Sequence, residues 1–174
     1  NRYPSCETAA SFIKDSVMER FGFTVNVGIS DRKVLAKMAS DFKKPNLVHT
    51  LYSHEIPDKL WPLPISRLFM CGRSSADTLR KLGILTIGDL AHTQPDILQA
   101  HLKSHGITLW EYANGIDQSG ITPEPVKMKG IGNSTTLSKD LTNRQEAYLT
   151  LLQLAESVGR RLRASHELAG MVST

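Results

Sequence analysis

The stretch VGISDRKVLAKMASDFKKPN, residues 27–46, carries Arg32, Lys33, Lys37, Lys43 and Lys44 along and just past one amphipathic segment. Lys37 and Lys44 are seven residues apart, about two helical turns or roughly 10 Å along an axis. Two ammonium groups so spaced can share one side of a helix and straddle an extended polyanion such as a triphosphate. A solvated lysine face accounts for the same spacing.

A second candidate is FMCGRSSADTL, residues 69–79. Gly72 ends a turn, Arg73, Ser74 and Ser75 follow, and Ala76 and Leu79 begin an inner helix face. That order leaves backbone N–H groups at a helix start, with a guanidinium beside them, where a phosphate fits. KLGILTIGDL, residues 81–90, repeats the helix, glycine turn, helix order. Two such hairpins suggest a helix-hairpin-helix unit that grips a nucleic-acid backbone without reading bases; ordinary interhelical turns remain the alternative. In VKMKGIGNSTTL, residues 126–137, Lys127 and Lys129 fall on one face of an extended segment, and Ser134, Thr135 and Thr136 supply neutral donors to phosphate oxygens. Arg160, Arg161 and Arg163 close a long helix, either against nucleic acid or as complements of its dipole.

Other chemistries lack their residues. His101 and His105 are one turn apart but have no third ligand, and Cys6 and Cys71 show no metal or disulfide spacing, which leaves free, partly buried thiols. His54-Glu55 lacks the second histidine of a zinc protease, and neither a nucleophile elbow nor a Walker loop occurs. Compact pairs of carboxylates for a two-metal phosphoryl-transfer centre are missing as well.

These groups need elements to carry them. Apolar residues at three- and four-residue spacing, Ser5 as N-cap and Gly22 as stop predict a helix to Phe21. Phe23, Val25, Val27 and Ile29 alternate with Thr24, Asn26, Gly28 and Ser30, which predicts a strand with one small, polar face that lets a neighbour approach closely. A helix is predicted over 31–42 and ended by Lys44-Pro45-Asn46. A short strand over 47–51 and a short helix over 54–60 follow.

From Trp61 to Gly115 glycines and prolines punctuate short helices at 74–82, 87–91, 95–103 and 106–113. Residues 117–125 have linker composition. An extended segment over 126–137 precedes a helix over 143–164, with Thr142 and Gln145 as capping box and Tyr148, Leu151, Leu152, Ala155, Val158 and Leu162 on one stripe. A further strand is expected to start at Val172.

The chain has 174 residues, 40% hydrophobic and 22% charged, with a formal net charge of +4. That is globular composition, compatible with a nucleic-acid partner without requiring one. No apolar run reaches the roughly 20 residues of a membrane span, and the first ten residues do not read as a signal peptide, so a cytoplasmic location and no membrane partner are expected.

Taken together, these residues resemble the Y-family lesion-bypass DNA polymerases of the UmuC/ImpB/MucB/SamB type. The carriers are VGISDRKVLAKMASDFKKPN, FMCGRSSADTLRKLGILTIGDLA, YANGID at 112–117 and KGIGNSTTLSKD at 129–140, in the family's order. The resemblance implies an α+β chain. The end of a palm domain would occupy 1–60, a helical thumb with tandem hairpins 61–116, a linker 117–126, and the start of a little-finger domain 127–174.

It implies that Lys44, supported by Lys37, contacts the triphosphate of an incoming deoxynucleotide. Gly72, Arg73, Ser74 and Ser75 would meet the primer-side backbone, and Lys127, Lys129, Ser134 and Thr135 duplex phosphates. Primer-template DNA and a deoxynucleoside triphosphate are thus the expected partners. Mg²⁺ would serve the intact polymerase through a SIDE-like carboxylate motif expected upstream of Asn1, so this chain alone is expected to be inactive. A sliding clamp is left open, because the family's clamp-binding tail falls beyond Thr174. Two differences stand out: Met70 occupies a place usually held by glycine, and Asp31-Arg32 a place where Asn is common. The rival readings are a non-catalytic helix-hairpin-helix repair module and a protein-interaction domain.

Overall fold

Ser5 starts the first helix as expected: its hydroxyl accepts from the Thr8 N–H at 3.1 Å, and α1 runs Cys6–Phe21 before Gly22 closes it in the left-handed conformation. The computed structural model describes residues 3–121 and 129–173. They fall into two units, Asn1–Gly120 and Ile121–Thr174. Both units are mixtures of helix and irregular chain, and a two-stranded sheet in the first makes the protein α+β.

After α1 the chain forms β1 (Val27–Ile29), α2 (Lys33–Ser40) and β2 (Val48–Thr50), and the strands pair in parallel with Val27 opposite Val48. The strand is shorter than the alternation of 23–29 predicts, and Phe23 is exposed. A parallel pair joined by a crossover helix is the expected product of strand, helix and strand in succession. The polar alternate face of β1 has a specific use. A Cβ built on Gly28 would lie 1.9 Å from the Ala36 carbonyl oxygen and 2.6 Å from the Ser40 nitrogen. The backbone of α2 therefore rests directly on the strand, which only glycine permits.

Helix α2 is two residues shorter at each end than expected. Arg32 is extended and lacks a side-chain cap. The cap comes from 83 residues away, where the Asp117 carboxylate accepts the Val34 N–H at 3.0 Å. The other oxygen of Asp117 accepts from the Ser119 N–H and hydroxyl, and the Lys33 ammonium donates to the Gly120 carbonyl. The segment expected as linker thus begins as a docked loop.

Past β2 the chain makes tight helical turns at Ser53–Glu55, Ile56–Leu60 and Ile65–Arg67, then α3 (Arg73–Lys81), α4 (Ile87–His92) and α5 (Pro95–Ala113). The two helices expected over 95–113 are one run broken at Lys103, at φ 55° and ψ −142°. The break does not use Gly106, whose missing side chain instead admits the Leu98 carbonyl, 2.4 Å from where its Cβ would be. One apolar core joins Val34, Leu35, Met38 and Ala39 of α2 to Leu51, Leu60, Ile65, Leu79, Leu90 and Leu109. Trp61 and Trp110, half-buried, pack beside it and donate their indole N–H groups to the Ala113 and Ala91 carbonyls at 3.0 and 3.1 Å. Both cysteines are free, but Cys6 is exposed rather than partly buried.

In the second unit α6 spans Arg144–Ala164. Its cap is Asn143, accepting from the Gln145 N–H at 2.7 Å, in place of the expected Thr142 box. The half-buried stripe follows Ala147, Thr150, Leu154, Val158 and Leu162, whereas Tyr148, Leu151 and Leu152 of the expected stripe are exposed. Residues 129–137 form no strand, and none begins at 172. The amphipathic pattern marks a face, but the described part of this unit offers no sheet against which to turn it.

Two outcomes follow. Gly28→Ala must push α2 off the strand and should destabilise the first unit by about 3 kcal/mol in chemical denaturation. Asp117→Ala should cost about 1 kcal/mol as a lost cap. The Ser119 hydroxyl first, and then the Ser119 and Val34 N–H groups, hold the Asp117 carboxyl below its usual range. Its contribution is therefore complete above the unfolded pKa and lost as pH falls through the folded one. Below about pH 4 the native chain should lose stability faster than Asp117→Ala, as read by denaturation at stepped pH.

Candidate nucleotide and nucleic-acid interface

The C-terminal end of α2 brings Lys37 and Lys44 together. Both reach one carboxylate, that of Asp41: Lys37 Nζ lies 2.5 Å from Oδ2 and Lys44 Nζ 2.8 Å from Oδ1. The hydrogen bond from Lys37, then that from Lys44, lowers the Asp41 pKa from its ordinary value. A shallow groove of ≈ 350 Å³ opens beside them, bounded by Thr24, Asn26, Ser40 and Pro45.

The loop that carries Lys44 is stitched from several sides. The Asn26 amide nitrogen donates to the carbonyls of Lys43 at 2.7 Å and Ser40 at 3.3 Å, while its oxygen accepts the Leu47 N–H at 3.0 Å. His49 Nε2 lies 3.0 Å from the same Lys43 carbonyl. From the turn at Ile65–Arg67, the Arg67 guanidinium donates to the Asp41 carbonyl at 2.7 Å. The Phe69 N–H donates to the Met38 sulfur at 3.2 Å. The lysine pair is thus tied to the helical half of the unit through backbone groups.

Asn26, Asp41 and Arg67 are the members that sequence reading missed. Asn26 shows only as a polar alternate in a strand and Asp41 only as an outward residue. Arg67 carries no local signal at all, since its partner is 26 residues away.

The first hairpin turn keeps its donors open. Gly72 is the N-cap of α3 and has no side chain to accept from the first turn. Arg73 and Ser74 are exposed and Ser75 half-buried beside that helix start. The next turn is different. Asp89 accepts from the Leu85 and Thr86 N–H groups at 3.0 and 2.8 Å, and the Thr86 hydroxyl accepts the Asp89 N–H at 3.0 Å. These backbone hydrogen bonds hold the Asp89 carboxyl below its usual range. The Ile87 and Gly88 N–H groups that open α4 already donate to the Leu63 and Trp61 carbonyls at 2.9 and 3.0 Å, so the two turns are not equivalent anion sites. Met70 takes the left-handed conformation at φ 66°, so the backbone shape of a glycine turn is kept at a cost in strain.

Lys129, Ser134 and Thr135 are exposed in the irregular segment of the second unit. Lys127 lies outside the described residues, and the strand face it was to share with Lys129 is absent over 129–137. Of the arginines ending α6, Arg161 donates to the Gly132 carbonyl at 2.8 Å and pins that segment. Among the described residues no group of three or more His, Cys, Asp or Glu converges as a metal site, and no helix is long and apolar enough to cross a membrane. Met70→Gly should relieve the turn and raise stability by up to about 1 kcal/mol in thermal or denaturant unfolding.

Residues 1–41 match the impB/mucB/samB family, and residues 128–174 match the impB/mucB/samB family C-terminal domain. DNA polymerase IV of Clostridium acetobutylicum is 49% identical over 164 residues, 94% of this chain and 41% of that protein. DNA polymerase IV of Acetivibrio thermocellus is 40% identical over 163 residues, 92% of this chain and 41% of its own length. DNA polymerase IV 1 of Bacillus subtilis is 40% identical over 145 residues, 83% of this chain and 35% of its own. The chain thus spans about two fifths of the length of the first two relatives. On these matches the chain belongs to the impB/mucB/samB family, the Y-family polymerases.

Proposed function

We propose that this chain is part of a lesion-bypass DNA polymerase acting in damage tolerance, with palm residues at 1–60, thumb residues at 61–116 and little-finger residues from 127. The observation that carries this reading is the convergence of Lys37 and Lys44 beside an open groove at the end of α2. In the reaction, a primer 3′-hydroxyl attacks the α-phosphorus of a deoxynucleoside triphosphate and pyrophosphate leaves. Lys44, with Lys37 beside it, offsets charge on the leaving phosphates. Gly72, Arg73, Ser74 and Ser75 receive a primer-template phosphate at the open start of α3, and Lys127, Lys129, Ser134 and Thr135 receive duplex phosphates.

As the family resemblance implies, the Mg²⁺ ligands of the intact enzyme belong to a carboxylate motif that is not among these residues. This chain alone should not extend a primer, and a primer-extension assay showing Mg²⁺-dependent synthesis by the pure chain would overturn that assignment.

The DNA reading is tested by fluorescence anisotropy with a primer-template duplex over a salt series. Affinity should fall steeply as salt rises, and Arg73→Glu and Lys129→Glu should each weaken it roughly tenfold and flatten the salt slope by about one unit. Affinity unchanged by both substitutions would remove the DNA-contact role of these residues.

A further inference from the structure

We propose that Asp41 is a releasable counter-ion: its carboxylate holds Lys37 and Lys44 side by side before an oligophosphate arrives, and yields them to it on binding. The inference rests on the triphosphate reading of the lysine pair and adds a positioning residue to it.

Asp41 sits where a helix alone would not place an acid. It closes the C-terminal end of α2, with its backbone N–H on the Met38 and Ala39 carbonyls, and the partial negative charge of a helix C-terminus disfavours a carboxylate there. Helix capping does not account for its charge, but the lysines do. Each carboxylate oxygen takes one ammonium group, Lys37 from one turn before and Lys44 from three residues after. Two cations that would otherwise repel are thereby held on the two oxygens of one carboxylate.

The arrangement can also open. The backbone of Asp41 is fixed, its N–H by the helix and its carbonyl by Arg67, whereas the side chain is about one-third exposed and the lysines are 47% and 61% exposed. Surface ion pairs of this kind are weak. A chain of phosphates offers several charges where Asp41 offers one, and multiple charge-assisted hydrogen bonds outcompete a single carboxylate. The groove between Asn26, Ser40 and Pro45 gives such a ligand room next to the pair. Displacement leaves the loop backbone unmoved, because Asn26 and Arg67 hold it through carbonyls and not through the carboxylate.

The test is isothermal titration of the 174-residue chain with inorganic triphosphate, without divalent metal. Asp41→Asn removes the competing charge and should tighten binding about three- to tenfold, whereas Asp41→Glu, which keeps it, should stay near the native value. Asp41→Ser, a smaller neutral replacement, should move in the same direction as Asn. A residue that only supported the helix or the lysine geometry would weaken binding or leave it unchanged when replaced. Affinity equal to or below native in both neutral variants, while Lys44→Ala and Lys37→Ala still weaken binding, would overturn the role of Asp41 alone. Native affinity in both lysine variants would overturn the triphosphate reading and this inference with it.

Discussion

The contact between Gly28 and the backbone of α2 is the constraint on which the first unit depends. A helix normally meets a strand through side chains, at a separation that their volume sets. Here the strand has no side chain at the crossing, and the Ala36 carbonyl and the Ser40 nitrogen occupy the space a Cβ would fill. The consequence is positional. The last turn of α2, with Lys37 and Asp41, and the following loop with Lys44 are brought next to Asn26, which ties that loop through two carbonyls and one N–H.

The two ends of α2 are both held by residues distant in sequence. Asp117 supplies the N-terminal cap and Arg67 takes the carbonyl at the C-terminal end, so the helix that carries Lys37 and leads into the Lys44 loop is clamped by the segments before and after α3, α4 and α5. Its inner face, Val34, Leu35, Met38 and Ala39, enters the same apolar core as those helices. Segments read from sequence as the end of a palm and a thumb therefore share one packed interior in this unit.

Anion chemistry is distributed by which donors are already satisfied. The start of α3 is open because glycine caps nothing, and the start of α4 is closed because its first N–H groups donate to the Leu63 and Trp61 carbonyls and the Thr86 hydroxyl. Between Lys37 and Lys44 the charge is partly neutralised by Asp41. Local charge counts do not reveal these differences, since lysines and helix starts recur along the chain. What distinguishes them is hydrogen-bond satisfaction.

Much of this protein was legible in its residues alone. The helix ending at Gly22, the alternation around Val27, the apolar face of α2 and the glycine turn before Arg73 are local signals of period 2, period 3.6 and turn chemistry, and each reports on backbone within a few residues. The family resemblance rested on the same short stretches. Tertiary structure alone decided the rest. That the small face of β1 receives a helix backbone, that Asp117 caps α2 across 83 residues, and that Asp41 lies between the lysines depend on where the folded chain passes. The half-buried stripe of α6 keeps Val158 and Leu162 but not Tyr148, Leu151 and Leu152 for the same reason: periodicity shows that a helix has an apolar face, but which residues are covered depends on what packs against it.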